Sequence, residues 1–119
     1  MDKYLKFLRD KIKLASFSGF DTDPADIHPT LYPHQRDIAR WAVKGGNRAI
    51  FASFGLGKSV MQIEWCRQIQ RMAGGQVLIV CPLGVRQELI RDGRMLGVEF
   101  RFIRSAAEID PGHAFYMTN

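Results

Sequence analysis

The stretch that decides the fold runs from Arg48 to Cys81 and reads RAIFASFGLGKSVMQIEWCRQIQRMAGGQVLIVC. Its first part, Arg48 to Phe54, is short, apolar and bounded by glycines, which predicts a fully buried parallel strand. A helix is expected from Lys58 to Met72, and Gln76 to Cys81 predicts a second buried strand. Strand, helix and strand in this order predict an α/β fold with a parallel sheet and crossover helices.

The residues before this stretch predict two helices joined by a loop. Lys3 to Leu14 predicts an amphipathic helix with a basic face. Either the helix packs on the domain and its basic face is solvated, or it is a basic arm that contacts nucleic acid or a partner. Ser16 to Thr30 is rich in turn residues and predicts a structured loop. A helix is expected from Pro33 to Val43, because Pro33 suits its first turn and Gly45-Gly46 ends it.

The residues after Cys81 continue the alternation of helices and strands. We predict a third helix from Gly84 to Arg91 or slightly beyond, and a third strand from Val98 to Ile103. Ser105 to Ile109 predicts one helical turn, and Ala114 to Met117 a fourth strand. The whole chain is therefore expected to form a parallel sheet with flanking helices.

Composition limits the kind of protein this is. The chain has 119 residues, 46 % of them apolar and 24 % charged, which suits one small globular domain. Its formal net charge of +5 favours an anionic partner such as nucleic acid. Cys66 and Cys81 form no CxxC pair, so we expect buried thiols in a reducing compartment. Charges interrupt every apolar run near the N-terminus, so we expect no membrane association and a cytoplasmic location.

The segment Ala52 to Ser59, ASFGLGKS, has the composition of a phosphate-binding loop. Gly55 and Gly57 allow backbone N–H groups to approach an anion, and the helix that follows directs its N-terminal dipole at that anion. Lys58 can reach the β- and γ-phosphates, and the Ser59 hydroxyl can ligate magnesium. Ala52 stands where the strict motif has its first glycine. The predicted phosphate-binding residues are Ala52, Gly55, Leu56, Gly57, Lys58 and Ser59.

Four segments resemble, in order, the N-terminal RecA-like domain of superfamily-two helicases. They are LYPHQ at 31–35, FASFGLGKS at 51–59, VLIVCP at 77–82 and YMTN at 116–119. The sequence is most similar to the Swi/Snf-like DNA translocases and the phage-type DEAD-like helicases, over residues 16–119. The resemblance implies an incomplete RecA-like ATP-binding domain at residues 31–119, in a bacterial or phage-infected cell. The predicted amphipathic helix and loop at residues 1–30 precede this domain.

The resemblance also implies roles for individual residues. Gln35 would pair with the adenine edge of ATP, since an amide offers both a donor and an acceptor. An upstream aromatic residue, Phe17 or Phe20, would stack on the adenine. Lys58 and Ser59 would take part in catalysis with ATP and Mg²⁺. The backbone of DNA, or alternatively RNA, would lie along Pro82, Leu83, Gly84 and Arg86.

The sequence contains no DEAD or DExH box, the acidic motif that holds magnesium and activates water in this family. We therefore expect this chain alone to bind ATP without being a competent ATPase, and to need a C-terminal RecA-like lobe or a partner chain. One alternative is a nucleic-acid or protein binding module with a residual nucleotide site, self-associating through an unfinished sheet edge. A second alternative is another class of P-loop enzyme.

Overall fold

The computed structural model describes residues 2–13, 17–51 and 57–119, without the side chains of residues 10–13. These ranges contain four α-helices and three β-strands. The helices are α1 (Lys3–Lys13), α2 (Pro33–Gly45), α3 (Lys58–Ala73) and α4 (Arg86–Met95), and the strands are β1 (Val77–Val80), β2 (Arg101–Phe102) and β3 (Phe115–Thr118).

The three strands form one parallel sheet in the order β1-β3-β2. In its register Ile79 lies beside Met117, and Phe102 lies on the other side of Met117. Parallel neighbours require crossover connections. The chain between β1 and its neighbour β3 contains α4 and β2, and the chain between β2 and β3 contains a 3-10 turn at Ala106–Glu108. The predicted α/β class with a parallel sheet is therefore confirmed, and the RecA-like fold stays a prediction.

The core lies between one face of the sheet and the helices α3 and α4. Ile79 and Met117 from the sheet belong to the same buried cluster as Ile63 and Cys66 of α3 and Leu89 of α4. Burial raises the pKa of the Cys66 thiol to about 12, and a backbone hydrogen bond acts in the opposite direction. Both cysteines are buried free thiols, as the sequence predicted.

The predicted strand from Arg48 to Phe54 is wrong over the residues that can be compared. Residues 48–51 form no strand, and the Phe51 side chain is 97 % exposed. The rest of that segment lies outside the described residues. A strand exists only when a neighbour accepts its hydrogen bonds, and the described strands pair only with one another.

Strand β1 is also less buried than predicted. Ile79 is buried against α3 and α4, whereas Leu78 and Val80 on the opposite face are 53 % and 70 % exposed. Alternate residues of a strand point to opposite faces, so Leu78 and Val80 share the second face of β1. Because both are exposed, no described element covers that face. The apolar run VLIV predicted burial on both faces, and the described residues provide it on one.

The remaining elements differ from prediction mainly at their ends. Helix α4 begins after a 3-10 turn at Leu83–Val85, and β2 is shorter than expected. The predicted helical turn near residue 107 is confirmed as a 3-10 turn at Ala106–Glu108. Strand β3 begins one residue later and ends one residue later than predicted.

The segment before α2 is bonded to the C-terminal end of that helix. The N–H groups of Ser18, Gly19 and Phe20 donate to the carbonyls of Gly45, Lys44 and Val43 at 3.3, 3.0 and 3.0 Å. The last carbonyls of a helix have no partner within it, so these bonds both complete the helix and position the loop. By contrast, the described side chains of α1 are exposed, which does not support packing of that helix on the domain.

No helix within the described ranges combines the length and the apolar character needed to cross a membrane.

Candidate functional site

The site is built around the first residues of α3. Gly57 precedes the helix with φ 73° and ψ 40°, a left-handed conformation that glycine adopts without strain. As a glycine, Gly57 offers no side chain to cap this end of the helix. The N–H groups of Lys58, Ser59 and Val60 have no acceptor within the helix, so they are available to an anion.

The connection between α3 and β1 determines where this helix end lies. Three residues, Gly74 to Gln76, join Ala73 to Val77, and α3 packs against the sheet. Such a short connection makes the helix antiparallel to the strand, so the N-terminus of α3 lies toward the carboxyl edge of the sheet. Ligands of open parallel sheets commonly bind at that edge.

Lys58 is exposed, and Ser59 is half-buried. Throughout the described ranges, no carboxylate forms an ion pair with Lys58. The first turn of α3 also contains no acidic residue that would repel an anion. The positive charge and the helix dipole therefore act on the same space.

Gln35 lies against this helix end although it is distant in sequence. Its side chain is 6 % exposed, and its Oε1 atom accepts a hydrogen bond from the N–H of Tyr32 at 2.9 Å. A Cβ atom at residue 57 would clash with the Nε2 atom of Gln35. The amide of Gln35 is thus packed between the start of α2 and Gly57.

The two candidate stacking residues, Phe17 and Phe20, lie at the other end of α2. The Phe17 ring is 66 % exposed, with Lys44 Nζ at 5.3 Å and Arg48 Cζ at 5.4 Å from its centroid. Lys44 follows Gln35 by nine residues in α2, which corresponds to about 13 Å along the helix axis. The structure therefore does not bring Phe17 and Gln35 together.

The predicted nucleic-acid segment follows β1 at the carboxyl edge of the sheet. Pro82, Leu83 and Gly84 are exposed there, and the Arg86 guanidinium lies 4.3 Å from the centroid of the Phe102 ring. The N–H of Cys81 donates to the carbonyl of Thr118 at 2.9 Å. This bond brings the segment after β1 beside the end of β3, where YMTN ends.

Three of the predicted phosphate-binding residues, Ala52, Gly55 and Leu56, lie outside the described residues. Among the residues that are described, no three His, Cys, Asp or Glu side chains are grouped so that they could hold a metal ion. At this helix end the Ser59 hydroxyl is one oxygen that could ligate a magnesium ion.

Sequence reasoning missed a buried polar network on α3. Glu64 is fully buried, and its carboxylate accepts hydrogen bonds from Arg67 at 2.9 and 2.8 Å and from Gln68 Nε2 at 2.8 Å. The same carboxylate accepts from the N–H of His28 at 3.2 Å, and Gln68 Nε2 also donates to the carbonyl of Asp26 at 2.8 Å. The network thereby attaches the loop at residues 26–28 to the middle of α3.

A signal for this network was present in the sequence. Met61, Glu64 and Gln68 are spaced three and four residues apart, so they lie on one face of the helix, and all three are buried. Two polar residues in line with an apolar one indicate buried groups that need partners.

Comparisons with protein families, with curated proteins and with solved structures found no match for this chain.

Proposed function

We propose that this chain binds Mg²⁺-ATP at the N-terminus of α3 and is the nucleotide-binding part of a helicase-like, DNA-dependent ATPase with a RecA-like fold. The observation that carries the proposal is the arrangement of Gly57, Lys58 and Ser59. A left-handed glycine, a lysine that forms no ion pair with the described carboxylates, and a hydroxyl follow one another at this helix end.

The chemistry of a triphosphate fits this arrangement. Its oxygens accept hydrogen bonds from free backbone N–H groups, and Lys58 neutralises part of its charge. The Ser59 hydroxyl supplies one oxygen ligand to magnesium, while phosphate oxygens and water supply the others. The close packing of Gln35 against Gly57 supports the proposal further, because a rigid neighbour holds the loop end in a conformation suited to an anion.

The contact with nucleic acid is proposed at the carboxyl edge of the sheet. Pro82 to Gly84 and the end of β3 are neighbours there, and Arg86 adds a positive charge. Contacts of this kind grip phosphates without reading bases. DNA is the proposed partner, with RNA as the alternative outcome of a binding assay.

Hydrolysis is proposed to require groups beyond those of this chain. The family that the sequence resembles uses an acidic motif to activate water and arginines from a second lobe to stabilise the transition state. We therefore propose that a second RecA-like lobe or a partner chain completes the motor, and that this chain alone binds ATP without turning it over.

Isothermal titration calorimetry of the 119-residue chain with ATP and magnesium tests the proposal. A charge-assisted hydrogen bond is worth about 1.5–3 kcal/mol, so Lys58→Ala should weaken ATP binding about 10- to 150-fold. Lys6→Ala on α1 is the matched control, since it removes the same charge far along the chain and should leave the affinity unchanged. Equal affinities for wild type and Lys58→Ala would refute the proposal.

A further inference from the structure

A cavity of about 520 Å³ lies between the C-terminal end of α2 and the first half of α3. Lys58, Gln62 and Trp65 line it from α3, at a spacing that puts all three on one face of the helix. Ala42 and Ile50 add apolar surface from the α2 side. Its volume lies within the range of roughly 300–1,000 Å³ that is usual for small-molecule sites.

The charge of the cavity selects its ligand. Arg48 and Lys58 both line it, and the described residues around it include no carboxylate. The indole of Trp65 is a flat apolar surface, and it is half-buried against the core. A ligand that matches this lining is an anion with a flat, largely apolar part.

Arg48 is held in place by aromatic rings. Its guanidinium lies 5.4 Å from the centroid of Phe17 and 5.7 Å from that of Trp41, and its Nη1 donates to the carbonyl of Asn47 at 2.7 Å. A guanidinium is planar and stacks on aromatic faces, so these contacts lower the side-chain entropy that a ligand at the cavity would otherwise have to overcome.

Gln35, by contrast, already has partners for its amide. The Oε1 atom is bonded to the Tyr32 N–H, and the Nε2 atom is packed against Gly57. A base that paired with Gln35 would share Oε1 with the Tyr32 N–H and would have to reach an Nε2 atom that is packed against Gly57. The cavity offers a base apolar contact without that restriction.

We propose that this cavity holds the nucleoside part of the nucleotide, with the base packed against Trp65 and Ile50 and Arg48 stacked on or bonded to it. This inference rests on the proposed function, because it assumes that the phosphates bind at Gly57, Lys58 and Ser59. Lys58 is the residue shared by the two halves of the site, since it lines the cavity and begins α3.

The test compares ATP with inorganic tripolyphosphate, which has the phosphates without the nucleoside. Trp65→Leu keeps an apolar side chain at the core and removes the flat ring. In this variant ATP binding should weaken about tenfold, the scale of one lost base–aromatic stack, while tripolyphosphate binding stays unchanged. Lys58→Ala should weaken both ligands, which separates the phosphate contacts from the base contacts.

A second measurement avoids any effect of Trp65→Leu on folding. The chain has two tryptophans, so Trp41→Phe leaves Trp65 as the sole indole. ATP should change its emission, and tripolyphosphate should not.

ATP binding that leaves Trp65 emission unchanged and survives Trp65→Leu would overturn this inference and leave the proposed function standing. If the wild-type chain binds neither ATP nor tripolyphosphate, both this inference and the proposed function are refuted.

Discussion

Glutamine in place of Glu64 perturbs the buried network on α3 with almost no change in shape. The Glu64 carboxylate accepts hydrogen bonds from the Arg67 guanidinium, from Gln68 Nε2 and from the backbone of His28. In Glu64→Gln one oxygen becomes an NH₂ group, which cannot accept from Arg67. The NH₂ group replaces Oε2, which accepts only from Arg67 Nε, because Oε1 must stay to accept from Gln68 and His28. Arg67 also donates to the carbonyl of Asp26 at 3.0 Å, so loosening its side chain weakens the attachment of the loop to α3.

The magnitude follows from the bonds that change. Arg67 donates twice to the carboxylate, and bonds to charged groups are worth about 1.5–3 kcal/mol. The Arg67 side chain is 26 % exposed, so water recovers part of the loss, and a neutral amide is less costly to bury than a carboxylate. We expect a net loss of about 2 kcal/mol in the free energy of unfolding, or roughly 8 °C in Tm for a domain of this size.

Urea denaturation followed by tryptophan fluorescence and far-UV circular dichroism measures this loss. Glu88→Gln is the matched control, because Glu88 is an exposed glutamate at the start of α4. The control should stay within about 0.5 kcal/mol of wild type. If Glu64→Gln also stays within that margin, the network does not hold the loop to α3 and this reasoning fails.

Two further predictions concern titration. The pKa of the Glu108 carboxyl lies below its ordinary value of 4.5, because the N–H groups of Arg104 and Ser105 donate to it. The ionised Glu108 carboxylate therefore stabilises the folded state above pH 4.5, and this contribution is lost as the pH falls through the lowered pKa. A midpoint at or above 4.5 in an NMR titration of Glu108 would contradict this prediction. The Cys66 thiol has a pKa of about 12, so in a Cys81→Ser variant it should resist a disulfide reagent at pH 8. The same variant should react fully when it is unfolded in guanidinium. Rapid labelling of the folded chain would contradict the burial of Cys66.

The sequence predicted the elements whose signals are local. Helices α2 and α3 have their periodicity, a proline at the start of α2 and glycines at their ends, and both occur close to the predicted bounds. The strand expected from Arg48 failed over residues 48–51 because its existence depends on a neighbour elsewhere in the chain. Apolar character alone could not supply that information.

In the candidate site, too, local features were predictable from the sequence, whereas features that depend on distant parts of the chain were not. The left-handed Gly57 and the lysine after it follow from local sequence, and their role in binding nucleotide stays a prediction. The position of Phe17 near Lys44 was not predictable, because it depends on the hydrogen bonds of residues 18–20 to the end of α2. The Glu64 network likewise depends on where the loop at residues 26–28 folds back.

Helix α3 connects the candidate anion site to the sheet. It is a rod of 16 residues, about 24 Å long, with Lys58 at one end and a three-residue link to β1 at the other. Its midpoint is tied by Glu64 and Gln68 to the segment that leads into α2. The segment before α2 is therefore attached to the same helix whose first turn forms the candidate anion site.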